Sequence, residues 1–242
     1  MTPAQLKELG FTLPPTQADL PFDDNGVMET QRHKLQMELL IDGIDGWLES
    51  REDGYVGGNM FVYYSLAQVR NQDFKGPDFF VALGVPKKER LSWVSWEEGK
   101  TPDVVIELLS PSTISADKGE KKTIYQDRLH TPEYFWYDPF NPEDWAGFRL
   151  QGGTYQAIEP DSSDRLISSV LDLALARWLG IYKGVETTWL RWVELDGTLL
   201  PTAAERAQQE AEQERQRADQ AERRADRLAE RLRAMGIDPD QV

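Results

Sequence analysis

One residue in the 242-residue sequence stands where its chemistry is costly: Glu107, inside the apolar run Val104-Val105-Ile106-Glu107-Leu108-Leu109. Thr101-Pro102-Asp103 precedes that run and Ser110-Pro111-Ser112 follows it, the profile of a strand buried on both faces. A buried carboxylate is unfavourable unless it is paired, hydrogen-bonded or bound to a metal. A structural ion pair and a working group are both open readings of it. The surroundings add weight to the second. Asp103 lies four positions earlier, so strand alternation puts it on the same face as Glu107. Asp78 follows Pro77 at the opening of another apolar stretch, FFVALGV. Two carboxylates delivered from adjacent strands can share one hard cation such as Mg²⁺ or Mn²⁺. Lys121 and Lys122 come next, in a polar segment, where a lysine could stabilise a phosphorane-like transition state or position an attacking water. Acidic pair, cation and lysine form the minimum kit for metal-assisted phosphodiester hydrolysis.

The elements that must position these groups are readable from spacing. Leu35, Leu39, Leu40, Ile44, Trp47 and Leu48 fall near helical spacing between Glu29 and Leu48, with Thr30 or Asn25 as possible caps. Residues 61–64, 79–85 and 91–96 are expected strands, the last ended by Glu97-Glu98-Gly99. Residues 104–109 form the buried strand, 117–129 a polar helix anchored by Ile124, Tyr125 and Leu129, and 133–137 the next strand. Shorter aromatic strands over 147–158 and 186–200 are expected around a helical stretch, 168–182. The order indicates an α/β (α+β) protein with a mixed central sheet flanked by helices. His130 is expected to be a connector, Asp117 a helix cap, and the tryptophans mostly core.

Composition bounds the alternatives. The chain has no cysteine and only two histidines, which removes thiolate catalysis, Cys-based zinc sites and His-rich metal sites. No phosphate-binding glycine loop or dinucleotide fingerprint is present, so no nucleotide cofactor is expected. Neither a secretory leader nor a membrane-length apolar run is visible, and a cytoplasmic protein without a membrane partner is expected. The net charge of −15 gives DNA no general attraction, so contact with it requires a local basic groove or bound cations.

After Pro201 the composition changes. Ala204, Ala211, Ala218, Ala225 and Leu232 recur every seven residues, with Ala207, Glu214, Ala221, Leu228 and Met235 as a second seam. This is a long helix with coiled-coil character, ending at Gly236, and it is compatible with a homo-oligomer, a dimer in particular. The expected organisation is an extended arm (1–25), a folded domain (26–200) and the C-terminal helix (201–236).

The run KTPDVVIELLSPSTISADKGEKKTIYQDRLHTPEYFWYDP resembles the Uma2 family, also called domain of unknown function 820. These are endonucleases of the PD-(D/E)XK type on the restriction-endonuclease-like fold. GPDFFVALGV resembles the family's first acidic strand, and the resemblance spans about residues 26–200 plus the tail. It implies a Mg²⁺- or Mn²⁺-dependent endonuclease acting on DNA, with Asp78 and Glu107 as metal ligands beside the Leu108 backbone carbonyl. Lys121 would assist the attacking water. Glu29 and His33 match positions near the site, and Asp103 and Lys122 are further candidates. The chain departs from the parent pattern at Leu109, which stands where ELK would have its lysine, so Lys121 must reach the site from the next helix. The alternative is a non-catalytic nuclease-fold protein that assembles through its C-terminal helix.

Overall fold

The computed structural model describes residues 15–16, 19–20, 30–65 and 74–235. Glu29 and most of the expected N-terminal arm lie outside them. The chain divides into two compact units, residues 1–200 and 201–242.

In the first unit, helix α1 (Gln31–Glu49) opens at Thr30, whose side chain accepts from the His33 backbone N–H. Its stripe of Leu35, Leu39, Leu40, Ile44 and Leu48 is buried. The strands are β1 (Asp53–Gly57), β2 (Val62–Tyr63), β3 (Phe74–Lys75), β4 (Phe79–Pro86) and β5 (Trp93–Val94), followed by the short helix α2 (Ser95–Glu98) and β6 (Val104–Leu108). A continuous helical passage follows: α3 (Ile114–Ala116), a π-helical turn (Asp117–Lys121), α4 (Lys122–Ile124) and a second π-helical turn (Tyr125–Leu129). Then come β7 (Glu133–Tyr137), β8 (Trp145–Gln151), β9 (Thr154–Ile158), β10 (Arg165–Ser168), β11 (Leu173–Tyr182) and β12 (Val185–Val193).

The main sheet has the order β1-β4-β6-β7-β8-β9. It is mixed: β6 and β7 run parallel, and the other neighbours are antiparallel. All five residues of β6 are buried, as a central strand covered on both faces must be. One face, through Val104, Ile106 and Leu108, joins Leu40 and Ile44 of α1, Leu175 of β11 and Leu190 and Trp192 of β12 in one core. The other face, through Val105, packs against Phe80, Tyr125, Leu129 and Tyr134. The helical passage from Ile114 to Leu129 therefore covers the face that carries the odd-numbered residues of β6.

Two expectations are corrected. The helix expected over 168–182 is strand β10's end followed by β11, which pairs along its length with β12. Alanine and leucine favour helix intrinsically, but Leu173 and Leu175 alternate into the core. Lys183 and Gly184, both at positive φ, close a two-residue hairpin. The expected strand over 91–96 is shorter, since the chain turns into α2 at Ser95 and stops at Gly99 in the left-handed region.

In the second unit, α5 (Ala203–Ala234) begins with a capping box between Thr202 and Glu205. Among the described residues no helix is long and apolar enough to cross a membrane.

Candidate active site

Glu107 is 0% exposed. It shares the Val105 face of β6, so its carboxylate points under the helical cover. Tyr125 O–H donates to Glu107 Oε1 at 3.0 Å, and Lys121 Nζ donates to Oε2 at 3.1 Å. Lys121 also stands 2.7 Å from Asp117 Oδ1. Asp117, Lys121 and Tyr125 are thus three residues of the cover spaced by four. An α-turn holds 3.6 residues, so a four-residue repeat drifts around its surface. A π turn, closed from i to i+5, holds more. Alternating the two keeps the three side chains over one carboxylate. Tyr134 O–H donates to the Asp117 carbonyl at 2.7 Å and fixes the first π turn to β7.

Asp78 arrives from the neighbouring strand. Phe79 pairs with Ile106 in the antiparallel register, so continuing that register sets Asp78 opposite Glu107. The backbone N–H of Leu108 donates to Asp78 Oδ2 at 2.6 Å. Gly58 lets the chain after β1 lie against this point, for a Cβ there would stand 2.8 Å from the Asp78 carbonyl oxygen. Asn59 N–H donates to the Pro77 carbonyl at 3.0 Å, holding the same junction.

The electrostatics follow from burial. Removal from water raises the Glu107 pKa, with Lys121 acting against the rise and Asp117 adding to it. Burial works against the Lys121 ammonium, but Glu107 and Asp117 outweigh it and hold its pKa above the ordinary lysine value. Burial, and next the charge of Glu107, keep the Tyr125 hydroxyl protonated and therefore a donor. Lys121 is 21% exposed on its side chain and forms an opening of the cluster toward solvent.

The remaining candidates separate clearly. Asp103 does not join the cluster. Its Oδ2 accepts from Leu83 N–H at 2.7 Å and from Lys100 Nζ at 2.6 Å, which ties the start of β6 to β4. Alternation gives the right face, but four residues along a strand amount to about 13 Å. Lys122 points away from the acids, its Nζ 3.3 Å from the Phe148 ring centroid. His33 is buried beside the site. Its Nε2 faces the Leu109 carbonyl at 2.9 Å and its Nδ1 faces Thr30 Oγ1 at 2.8 Å, so the ring clamps α1 to the end of β6. His130 takes the left-handed conformation at the close of the second π turn, a connector. The expected capping role of Asp117 is corrected, since no side-chain cap bond is made at either α3 or the first π turn. It is the residue that spacing alone missed, although its i, i+4 relation to Lys121 was in plain view.

Glu133 supplies an internal contrast. It too is fully buried, yet Arg149, Ser168 and both the N–H and hydroxyl of Ser169 match its oxygens. Asp117 Oδ2, by comparison, is buried with no hydrogen-bond partner. Among the described residues no three His, Cys, Asp or Glu side chains are grouped to hold a metal ion as they stand; the Lys121 ammonium takes the space between Glu107 and Asp117. The Asp78 and Glu107 carboxylates and the Leu108 backbone carbonyl nevertheless fit a hard divalent cation in kind, since all are oxygen donors; the unmatched Asp117 Oδ2 belongs to the residue that pairs with Lys121.

A mixed α+β sheet flanked by helices is the architecture of the restriction-endonuclease-like class. Residues 13–181 match the Uma2 family, described as "Putative restriction endonuclease", and the chain belongs to that family. The chain is also similar to a solved structure from Anabaena variabilis ATCC 29413, described as a "putative nuclease belonging to DUF820". The two share 16% identity at a TM-score of 0.42, over 62% of this chain and 82% of that one. No curated protein matches the chain.

Proposed function

We propose that the protein is a Mg²⁺- or Mn²⁺-dependent endonuclease that hydrolyses DNA phosphodiester bonds, with the domain over residues 26–200 carrying the chemistry. The observation that supports it most is the meeting of Lys121 with Glu107 in a member of a nuclease family.

Asp78 and Glu107, with the Leu108 carbonyl, would hold the cation. Once bound, it supplies a Lewis acid for a phosphoryl oxygen and lowers the pKa of its water. Lys121, whose carboxylate neighbours hold its pKa above the ordinary lysine value, acts as a hydrogen-bond donor. Its part is to orient the attacking water and to offset charge gathering on the phosphoryl oxygens. Asp117 holds the ammonium on its far side, and Tyr125 fixes the Glu107 carboxylate by its other oxygen. With a net charge of −15, the positive charge that a phosphate meets at this point would come from Lys121 and from the cation held by Asp78 and Glu107.

Purified protein with Mg²⁺ is expected to cut plasmid DNA, and Glu107→Gln, which keeps the side-chain shape, is expected to abolish cutting with the fold intact by circular dichroism. Cutting that persists in folded Glu107→Gln protein would sink the assignment.

A further inference from the structure

We infer that α5 joins two copies of this chain as a parallel, in-register two-stranded coiled coil. Over its 32 residues the helix buries none of its side chains, and it spans about 48 Å. A helix this long and this polar keeps an apolar stripe at heptad spacing only at a cost in solubility, unless the stripe meets a partner. The stripe is Ala204, Ala211, Ala218, Ala225 and Leu232 on one seam and Ala207, Ala221, Leu228 and Met235 on the other, with Glu214 as its one defect. Leu228 is 51% exposed and Met235 73% exposed, two of the large apolar side chains that the described residues leave in water.

Charge selects the occupant and its direction. In a parallel pair, the residue just before one seam position faces the partner residue five places further on. Glu210 then faces the partner's Arg215, and Arg217 faces the partner's Glu222; symmetry repeats both contacts. The next such pair sets Arg224 against the partner's Ala229, which is neutral. The antiparallel arrangement centred on the middle of that span, residue 216, sets Arg217 against the partner's Arg217 and Arg215 against the partner's Arg215. The parallel register has no like-charge contact among these flanking pairs, so a second copy of this helix is the complement that the sequence itself supplies. Arg215 lies 3.8 Å from Glu212 of its own helix, and both are largely exposed, so turning toward a partner costs it little. The alanine-rich part of the seam buries little area, and the association is accordingly concentration-dependent.

The chain has no cysteine, so one introduced thiol reports its position cleanly. In the full chain under oxidising conditions, Ala218→Cys on the seam is expected to cross-link into dimers, and Gln216→Cys on the opposite side of the helix is not. Sedimentation equilibrium of the cysteine-free chain is expected to show a monomer–dimer equilibrium. Glu210→Arg should raise its dissociation constant several-fold, and Glu210→Arg with Arg215→Glu should restore it. A monomer at every concentration, equal cross-linking at the two sites, or a double exchange no tighter than the single one would overturn the inference. These readouts do not involve DNA cutting, so they stand or fall apart from the nuclease reading.

Discussion

Lys121 Nζ stands 3.1 Å from Glu107 Oε2 although fourteen positions separate the two residues. The lysine that the (D/E)XK spacing would place on the strand itself is leucine here, Leu109, and in the proposed function Lys121 takes its part from the helical cover. Lys121→Met should therefore lower DNA cutting by about 100-fold or more, the usual effect of losing a preorganised donor. It should also destabilise the fold by about 3 kcal/mol at neutral pH, because Glu107 is left buried without its cation. Plasmid cutting and urea unfolding of the same preparation check both. A variant that cuts normally removes Lys121 from the mechanism.

In the proposed function Asp117 acts through Lys121, which it meets at 2.7 Å. Asp117→Asn keeps the shape of the side chain but gives up its charge, so the ammonium is held from one side only. Turnover is expected to fall about 10-fold, the low end for groups that orient a working residue, while the substrate concentration at half-maximal rate stays put. An unchanged turnover would show that Tyr125 and the π turn position the site without it.

Asp78 and Asp103 are both aspartates that follow a proline at a strand opening, and the structure gives them different partners; the proposed function takes Asp78 as the ligand. Asp103→Asn should leave cutting unchanged and cost about 1–3 kcal/mol through its lost bonds to Lys100 and Leu83 N–H. Asp78→Asn should abolish cutting. Parallel kinetics and melting curves separate the two, and loss of activity in folded Asp103→Asn protein would reverse the assignment.

The strands that carry the site were legible because apolar runs bounded by Pro, Asp and Ser need no tertiary information. Glu107 stood out for the same reason. What the sequence could not convey was distance along a strand, which removed Asp103, and the local winding of the cover, which brought in Asp117. A polar stretch such as Asp117 to Lys122 reads as a solvated helix face until the π turns set every fourth side chain inward. Nor does a sequence separate Glu133, whose oxygens are matched by Arg149, Ser168 and Ser169, from Glu107. The partners of Glu133 come from β8 and from β10 and the residue after it, a meeting made only by the fold. Strand β11 was misread because Ala and Leu favour helix when alone, while its pairing with β12 decides the outcome.

A pH response is expected away from the active site. The Glu98 side chain is 4% exposed and meets Arg90 at 2.8 Å and Lys88 at 2.9 Å. Burial alone would raise its pKa, but the hydrogen bonds from Arg90 and Lys88 outweigh that and set it below the ordinary 4.5. A carboxylate depressed on folding contributes stability above its unfolded pKa and loses it as pH falls through the folded value. Wild-type protein should therefore lose stability below pH 4.5. Glu98→Gln should be less stable than wild type at neutral pH, because it gives up the charge that Arg90 and Lys88 hold, with the difference closing in acid. Urea midpoints measured from pH 3 to pH 7 test this, and a constant difference across that range would contradict it.

Gly58 offers a test of how finely Asp78 is placed. A methyl group at this position would meet Ile41 Cδ1 at 2.6 Å, the Asp78 carbonyl oxygen at 2.8 Å and Met37 Cγ at 3.1 Å. The two side chains can rotate away, but the carbonyl belongs to backbone pinned by the bond from Asn59 N–H to the Pro77 carbonyl. The strain of Gly58→Ala is thus passed to the peptide that carries Asp78, at a cost of about 1–3 kcal/mol. A displacement there of a fraction of an ångström should reduce turnover about 10-fold, since a 1 Å misplacement can cost about 100-fold. The decisive comparison is with Gly84→Ala, where positive φ imposes strain but no atom lies within 4 Å of the added Cβ. Both variants should melt lower than wild type, and only Gly58→Ala should cut more slowly. Equal turnover in the two would mean that the Asp78 peptide moves without consequence, and Asp78 would then lose its place as a ligand.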